Sequence, residues 1–91
     1  MKYELVVKAE AIEDMTRAFF WYENKRTGLG EEFIEEVEGF FDRIAQSPRH
    51  FKSHRYQRIA VMHRFPYKIV FEIESEAVIV YAIYHDKLDK N

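Results

Sequence analysis

The feature that most constrains the fold is a pair of amphipathic helical patterns separated by a short glycine turn. In residues 31–46 the apolar side chains recur every three or four positions, and acidic side chains fill the other side. This period predicts a helix with one buried face. Residues 9–25 carry a second stripe of the same kind, and Gly28-Leu29-Gly30 separates the two. Glycine accepts the backbone conformations that a helix exit requires, so we expect the two helices to pack as an antiparallel pair.

The rest of the chain alternates with the period of a β-strand. Residues 2–8 alternate ahead of the first helix, and residues 58–63 and 67–73 alternate after a predicted loop at 49–57. The last run, 77–85, is apolar on both faces, which predicts a strand in the centre of the sheet. The predicted order is β-α-α-β-β-β. This is an α+β fold in which a helical hairpin packs on one face of a small, mainly antiparallel sheet.

Composition predicts a single domain over residues 1–91. Eight Phe, six Tyr and one Trp supply the large apolar area that a small core needs, and no cysteine is present for a disulfide or a thiolate metal site. No apolar run approaches the ~20 residues of a membrane span. We therefore expect a cytoplasmic protein that has no membrane segment and requires no cofactor.

Charge is distributed unevenly along the chain. Residues 1–42 carry eleven acids and five bases, whereas residues 43–91 carry nine bases and five acids. No acid occurs between Asp42 and Glu72, and two of the predicted strands fall in that stretch. Cationic and aromatic side chains fixed to a sheet suit an anionic partner, while a solvated basic loop is the competing interpretation. The candidate binding residues are Arg49, Lys52, Arg55, Arg58, Arg64 and Trp21.

Two histidines have the spacing of a zinc-binding pair. His50 and His54 lie four residues apart, a spacing that on a helix places two imidazoles on one face. They follow Pro48 in a predicted loop, and no third ligand lies nearby in the sequence. We therefore predict no metal site.

Short motifs follow one another in a fixed order along nearly the whole chain. They are Ala11 with Asp14, Trp21-Tyr22-Glu23, Gly28-Leu29-Gly30 with Phe33 and Val37, Pro48, Arg58, Phe65-Pro66-Tyr67 and His85. In this combination the sequence resembles the RelE/ParE superfamily of type II toxin–antitoxin toxins, particularly its ParE-like, plasmid-stabilisation branch. The resemblance implies a bacterial cytosolic toxin that a small antitoxin neutralises by wrapping its tail around it.

The resemblance leaves two activities open. ParE-like toxins poison DNA gyrase without chemistry of their own, whereas RelE-like toxins cleave messenger RNA in the ribosome without a metal. Such cleavage needs groups that move protons and neutralise charge on the phosphate, and an imidazole titrates near neutrality. The candidates for a nuclease are His85, Lys68, Arg64, Arg58 and Lys87.

Several positions differ from the nuclease pattern. Lys68 and Lys87 stand where RelE-like nucleases carry arginines, and lysine lacks the bidentate fork that grips phosphate oxygens. Ile59 and Val61 stand where that branch uses lysines. We therefore expect a ParE-like toxin with DNA gyrase and an antitoxin as partners. The alternatives are a nuclease that works with the ribosome and messenger RNA, or an attenuated relative that only binds antitoxin. The sequence leaves open whether the chain forms a homodimer.

Overall fold

The computed structural model describes residues 2–86. Its elements are β1 (Glu4–Val7), α1 (Ala9–Lys25), α2 (Leu29–Gln46), a 3-10 helix (Pro48–His50), β2 (Lys52–His54), β3 (Gln57–Val61), β4 (Tyr67–Glu74) and β5 (Ala77–His85). The strands form one sheet in the order β1-β5-β4-β3-β2, in which β1 runs parallel to β5 and the other neighbours are antiparallel. The predicted α+β fold, with the last strand inside the sheet, is confirmed. Within residues 2–86 no helix is long and apolar enough to cross a membrane.

The glycine turn brings the two helices into close contact. Gly28 adopts a left-handed conformation (φ 90°), and α2 begins directly after it, two residues before the start that the apolar pattern predicts. The carboxylate of Glu23 on α1 accepts hydrogen bonds from the backbone N–H of Gly28 at 2.8 Å and of Gly30 at 2.9 Å. These bonds satisfy donors that a helix start leaves without partners. The turn is therefore fixed by a side chain of the preceding helix.

The core lies between the helical hairpin and one face of the sheet. α2 contributes the fully buried stripe that its periodicity predicts, and β4 and β5 supply the facing side chains. The largest of these are Phe33, Val37, Ile44, Ile69, Phe71, Val78, Val80 and Ile83. Each such side chain contributes roughly 1.5–3 kcal/mol when it is removed from water, so this layer dominates the stability of the fold.

The predicted loop at 49–57 is wrong in part, because it contains the 3-10 helix and β2. β2 pairs with β3 through its backbone, and all three of its side chains are exposed. No apolar alternation therefore marks it in the sequence. The sheet has one strand more than the periodicity predicts.

The helices cover only one face of β5, and a β-bulge within the strand adjusts which of its side chains face them. Val80 and Ile83 both point into the core although three positions separate them. The register with β4 pairs Val80 with Phe71 and Ala82 with Val70, which leaves Tyr81 as an extra residue. This β-bulge restores the inward orientation of Ile83. β5 lies between β1 and β4, so the prediction that it is in the centre of the sheet is confirmed.

Candidate partner-binding surface

No helix within residues 2–86 covers the face of the sheet opposite α1 and α2, here called the open face. On this face the register aligns Ile59 of β3 with Val70 of β4, and Val61 of β3 with Lys68 of β4. Val61 is 55% exposed. The surface forms a depression of about 550 Å³. Its lining residues are Lys52, Ser53, His54, Gln57, Ile59, Val61, Lys68 and Tyr84.

Exposed arginine and lysine side chains lie on and around β2, the edge strand of the sheet, and one of them, Lys52, lines this depression. Arg49 lies on the 3-10 helix, Lys52 on β2 and Arg55 in the turn between β2 and β3. Arg55 has a positive φ of 62°, and its neighbour Tyr56 is 86% exposed at the same turn. All three cations are exposed. We call Arg49, Lys52 and Arg55 the basic edge.

Arg58 holds the backbone of the basic edge in place from the helix side of the sheet. Its Nη1 donates to the carbonyl oxygen of Phe51 at 2.8 Å and to that of Arg49 at 3.4 Å. β3 pairs Arg58 with the fully buried Phe71, so its side chain leaves the sheet on the helix side. A charged donor satisfies carbonyl groups strongly, and this one fixes the 3-10 helix against β3.

Arg64 lies at the other end of β3, in the turn before β4, and contacts α2. Its Nη2 is 2.6 Å from Oε1 of Glu32. This hydrogen bond lowers the pKa of the Glu32 carboxyl, and the nearby Arg26 lowers it further. Glu36 Oε2 accepts hydrogen bonds from the backbone N–H groups of His63 at 2.9 Å and Arg64 at 3.1 Å. Arg64 is thus separated from the basic edge by the length of β3.

Trp21 lines a groove of about 470 Å³ between α1 and the end of β5. The ammonium group of Lys25 lies 4.3 Å from the centre of its ring. At the same groove Asp14 accepts a hydrogen bond from the backbone N–H of Ile83 at 2.9 Å and contacts Arg17 at 2.6 Å. Trp21 is 57% exposed, so it lies on the surface and not in the core.

The nuclease candidates do not come together in the described part of the chain. His85 pairs with Tyr67 and contacts its ring at 5.1 Å on the helix side, where both line the groove beside α1. Lys68, one residue along β4 from Tyr67, points to the open face and lies 3.3 Å from Asp86. Arg58 and Arg64 lie near opposite ends of β3, and Lys87 is outside the described residues.

Tyr22 and Tyr67 form a buried aromatic contact close to this groove. Their rings lie 6.1 Å apart; both contact the ring of Phe33, and Tyr22 also contacts that of Phe65. Burial, followed by the effect of Tyr67, raises the pKa of Tyr22 to about 12. Burial also raises the pKa of Tyr67. Both phenols therefore stay protonated at neutral pH and serve packing and hydrogen bonding.

Sequence reasoning missed the contribution of the acidic and apolar residues of the open face. Glu72 and Ile79 pair on this face between β4 and β5, and Val6 of β1 extends the same row. The signal was the run at 77–85, whose apolar residues exceed what one buried face needs. His50 and His54 lie on different elements, and no group of three metal-ligating side chains occurs in residues 2–86.

Solved structures with this fold include chains from two toxin–antitoxin assemblies. A chain of the chromosomal ParDE TA system from P. aeruginosa superimposes with a TM-score of 0.81 and 11% identity, covering 92% of this chain and 96% of that one. A chain of the toxin–antitoxin complex RelBE2 from Mycobacterium tuberculosis gives a TM-score of 0.63 and 15% identity, covering 93% and 99%. At these identities the similarity shows a shared fold.

The sequence itself matches a family model within the RelE/ParE superfamily. The family described as ParE toxin of type II toxin-antitoxin system, parDE, matches residues 5–89. The chain therefore belongs to the ParE toxin family, and the resemblance inferred from its motifs is confirmed. No curated protein sequence matches the chain.

Proposed function

We propose that this ParE-family toxin inhibits growth by poisoning DNA gyrase and that a cognate antitoxin neutralises it. The observation that carries the proposal is the family match over residues 5–89. The gyrase target follows from the resemblance to ParE-like toxins. The two similar solved structures come from toxin–antitoxin assemblies, which supports an antitoxin as the partner.

The placement of the nuclease candidates supports a toxin that acts by binding its target and not by cleaving RNA. Metal-free cleavage requires a proton-transfer group and phosphate-binding cations around one reacting phosphate. His85 lies on the helix side of the sheet, whereas Lys68 lies on the open face. These two groups therefore line different depressions, which supports the view that they do not act on one phosphate.

The basic edge is the surface that we assign to the antitoxin. Arg49, Lys52 and Arg55 are exposed, and none of the three forms an ion pair within residues 2–86. Unpaired exposed cations attract an acidic segment and accelerate its association. Arg58 positions this edge, whereas Arg64 and Trp21 belong to other parts of the surface.

Induced expression tests the target. We expect growth arrest that co-expression of the adjacent small open reading frame relieves, together with gyrase trapped on broken DNA. Discrete codon-linked cuts in messenger RNA, detected by primer extension while supercoiling stays intact, would replace the gyrase proposal with the nuclease. Complex formation without growth arrest would identify an attenuated antitoxin-binding relative.

Calorimetric titration of the purified antitoxin tests the basic edge. Lys52→Ala and Arg55→Ala should each weaken binding by about three- to tenfold and reduce its salt dependence, because each removes an exposed cation from the contact. Arg64→Ala is the matched control, since its guanidinium is paired with Glu32. Its affinity should stay within about twofold of the wild type. Unchanged affinity and unchanged salt dependence in both edge variants would remove this surface from the proposal.

A further inference from the structure

The outward side of α1 carries a row of exposed apolar side chains. Ile12 is 52% exposed and Phe20 is 58% exposed, and Thr16 lies exposed between them. Side chains four residues apart on a helix are neighbours, so these three residues form one row, here called the α1 stripe. Apolar side chains grouped on a surface in this way mark a contact with another protein.

α2 presents a different surface. Of the large apolar side chains that are exposed in residues 2–86, three lie on α1 and none lies on α2. The exposed positions of α2 are instead rich in acidic residues, namely Glu31, Glu35, Glu38 and Asp42. Two copies of the chain that met through α2 would bring these like charges together, which is unfavourable. A contact between two copies is therefore favoured at α1 and disfavoured at α2.

The charges beside the α1 stripe are complementary to those of a second copy that runs in the opposite direction. Glu13 precedes Thr16 and Arg17 follows it, and both are exposed. An antiparallel arrangement centred on Thr16 places Glu13 of each copy beside Arg17 of the other. Arg17 Nη2 contacts Asp14 at 2.6 Å, but a guanidinium carries five N–H donors, so donors remain for a second carboxylate. The antiparallel arrangement also places the positive start of each helix dipole near the negative end of the other.

Thr16 suits the centre of such a contact. Its hydroxyl donates to the carbonyl oxygen of Ile12 at 2.9 Å, so it can be covered without losing its hydrogen bond. Its small side chain allows two helix axes to approach to the usual separation of about 8–10 Å. A twofold axis at Thr16 then places Phe20 of each copy against Ile12 of the other, because each lies four residues from the centre.

We propose that the toxin forms a homodimer in which the α1 stripes of two copies pack antiparallel about a twofold axis at Thr16. Every contact in this interface occurs twice. The open face stays accessible in the dimer, because the helices lie on the other face of the sheet. One pair of helices buries less than the standard area of about 800 Å² per partner, so we expect a dissociation constant on the order of 10 μM. The inference depends on neither the gyrase nor the antitoxin proposal.

Sedimentation equilibrium of the purified full-length toxin tests the dimer. We expect a monomer–dimer equilibrium within a range of about 1–200 μM. Phe20→Glu should raise the dissociation constant at least about tenfold, because it places two carboxylates in the apolar contact. Tyr56→Glu is the matched control, since Tyr56 is an aromatic residue that is 86% exposed in the turn between β2 and β3. Its dissociation constant should stay within about twofold of the wild type. A wild-type toxin that remains monomeric, or equal dissociation constants in the two variants, would overturn the inference.

Cysteine cross-linking tests the direction of the contact and needs no disruptive substitution. The chain contains no cysteine, so Thr16→Cys introduces a single thiol. Axes about 8–10 Å apart, with Cα atoms about 2.3 Å from each axis, bring the facing Cα atoms to about 3.5–5.5 Å, which overlaps the disulfide range of about 4.4–6.8 Å. In the antiparallel dimer the thiols of the control Asn24→Cys lie about 24 Å apart along the helices.

With oxidised glutathione as the oxidant, Thr16→Cys should form the covalent dimer at least about tenfold faster than Asn24→Cys. Equal rates, or a faster reaction of Asn24→Cys, would overturn the antiparallel arrangement. The antitoxin is the competing occupant of the α1 stripe, and its purified form, titrated calorimetrically, should bind Phe20→Glu within about twofold of the wild-type affinity. A loss of antitoxin affinity in Phe20→Glu, with a monomeric wild-type toxin, would overturn the inference and assign the stripe to the antitoxin. Failure of the wild-type toxin to bind the antitoxin while it still dimerises would overturn the antitoxin proposal and leave this inference standing.

Discussion

Gly30→Ala should destabilise the protein by disturbing the contact between α1 and α2. A Cβ atom at this position would lie 2.6 Å from the carbonyl oxygen of Phe19 and 2.8 Å from both Phe19 Cδ1 and Glu23 Oε1. An ordinary carbon–oxygen contact is about 3.3 Å, so the helices would have to separate by roughly 0.7 Å. The closest atom belongs to the backbone of α1, and no side-chain rotation can relieve that contact.

The cost follows from three contributions. Overpacking costs about 1–3 kcal/mol, and a weakened hydrogen bond between Glu23 and the turn adds about 1 kcal/mol. The higher helix propensity of alanine offsets about 0.5–1 kcal/mol of this loss. The net change in the free energy of unfolding is about 2 kcal/mol, which for a domain of this size lowers the Tm by about 10 °C.

Circular dichroism during thermal and urea denaturation measures this change. Gly39→Ala is the matched control, because Gly39 lies exposed within α2 and an added Cβ would meet no atom within 4 Å. It should raise the free energy of unfolding by about 0.5–1 kcal/mol. If Gly30→Ala proved as stable as the wild type, the close approach of the helices would not be a constraint on this position.

Three further predictions concern groups whose partners the structure defines. Glu36→Ala should cost about 1–2 kcal/mol of unfolding free energy in urea titration, because two backbone donors of the β3–β4 turn lose their acceptor. The exposed control Glu35→Ala should change it by less than about 0.5 kcal/mol, and equal effects would contradict the capping role. Stability should fall as pH rises from about 10 to 12, because the unfolded chain releases the Tyr22 proton near pH 10 whereas the folded chain holds it to about 12. Tyr22→Phe should flatten this fall in denaturation curves, and an unchanged slope would refute the assignment. Arg64→Gln should raise the pKa of the Glu32 carboxyl toward its ordinary value in an NMR titration, because it removes the hydrogen bond that most lowers this pKa. An unchanged Glu32 pKa would exclude the Arg64–Glu32 contact in solution.

Local periodicity was sufficient for most of the fold. Apolar residues that recur at the period of a helix or a strand show which side chains face the core. α1, α2 and the strands with apolar alternation could therefore be predicted from one sequence. Glycine spacing also placed the turn between the helices. β2 was missed because it is held by backbone pairing with β3 and buries none of its side chains, so its sequence shows no alternation of apolar and polar residues.

The candidate site was predictable in composition but not in arrangement. The acid-free stretch between Asp42 and Glu72 contains all the candidate binding cations. In the structure Arg55 and Arg64 are separated by the length of β3, and Lys68 and His85 lie on opposite faces of the sheet. Side chains alternate across a strand, so a shift of one residue changes the face on which a group appears.

The sequence alone determined that this chain folds as a helical hairpin on a sheet, that its charge is divided along its length, and that it resembles ParE-like toxins. The tertiary structure decided which charges are neighbours and which face of the sheet stays open. The physical reason is that periodicity is a local property of each element, whereas strand register and the bulge at Tyr81 depend on pairing between distant segments. The apolar run of β5 illustrates both points, since Val78, Val80 and Ile83 lie in the core whereas Ile79 lies half-buried on the opposite face.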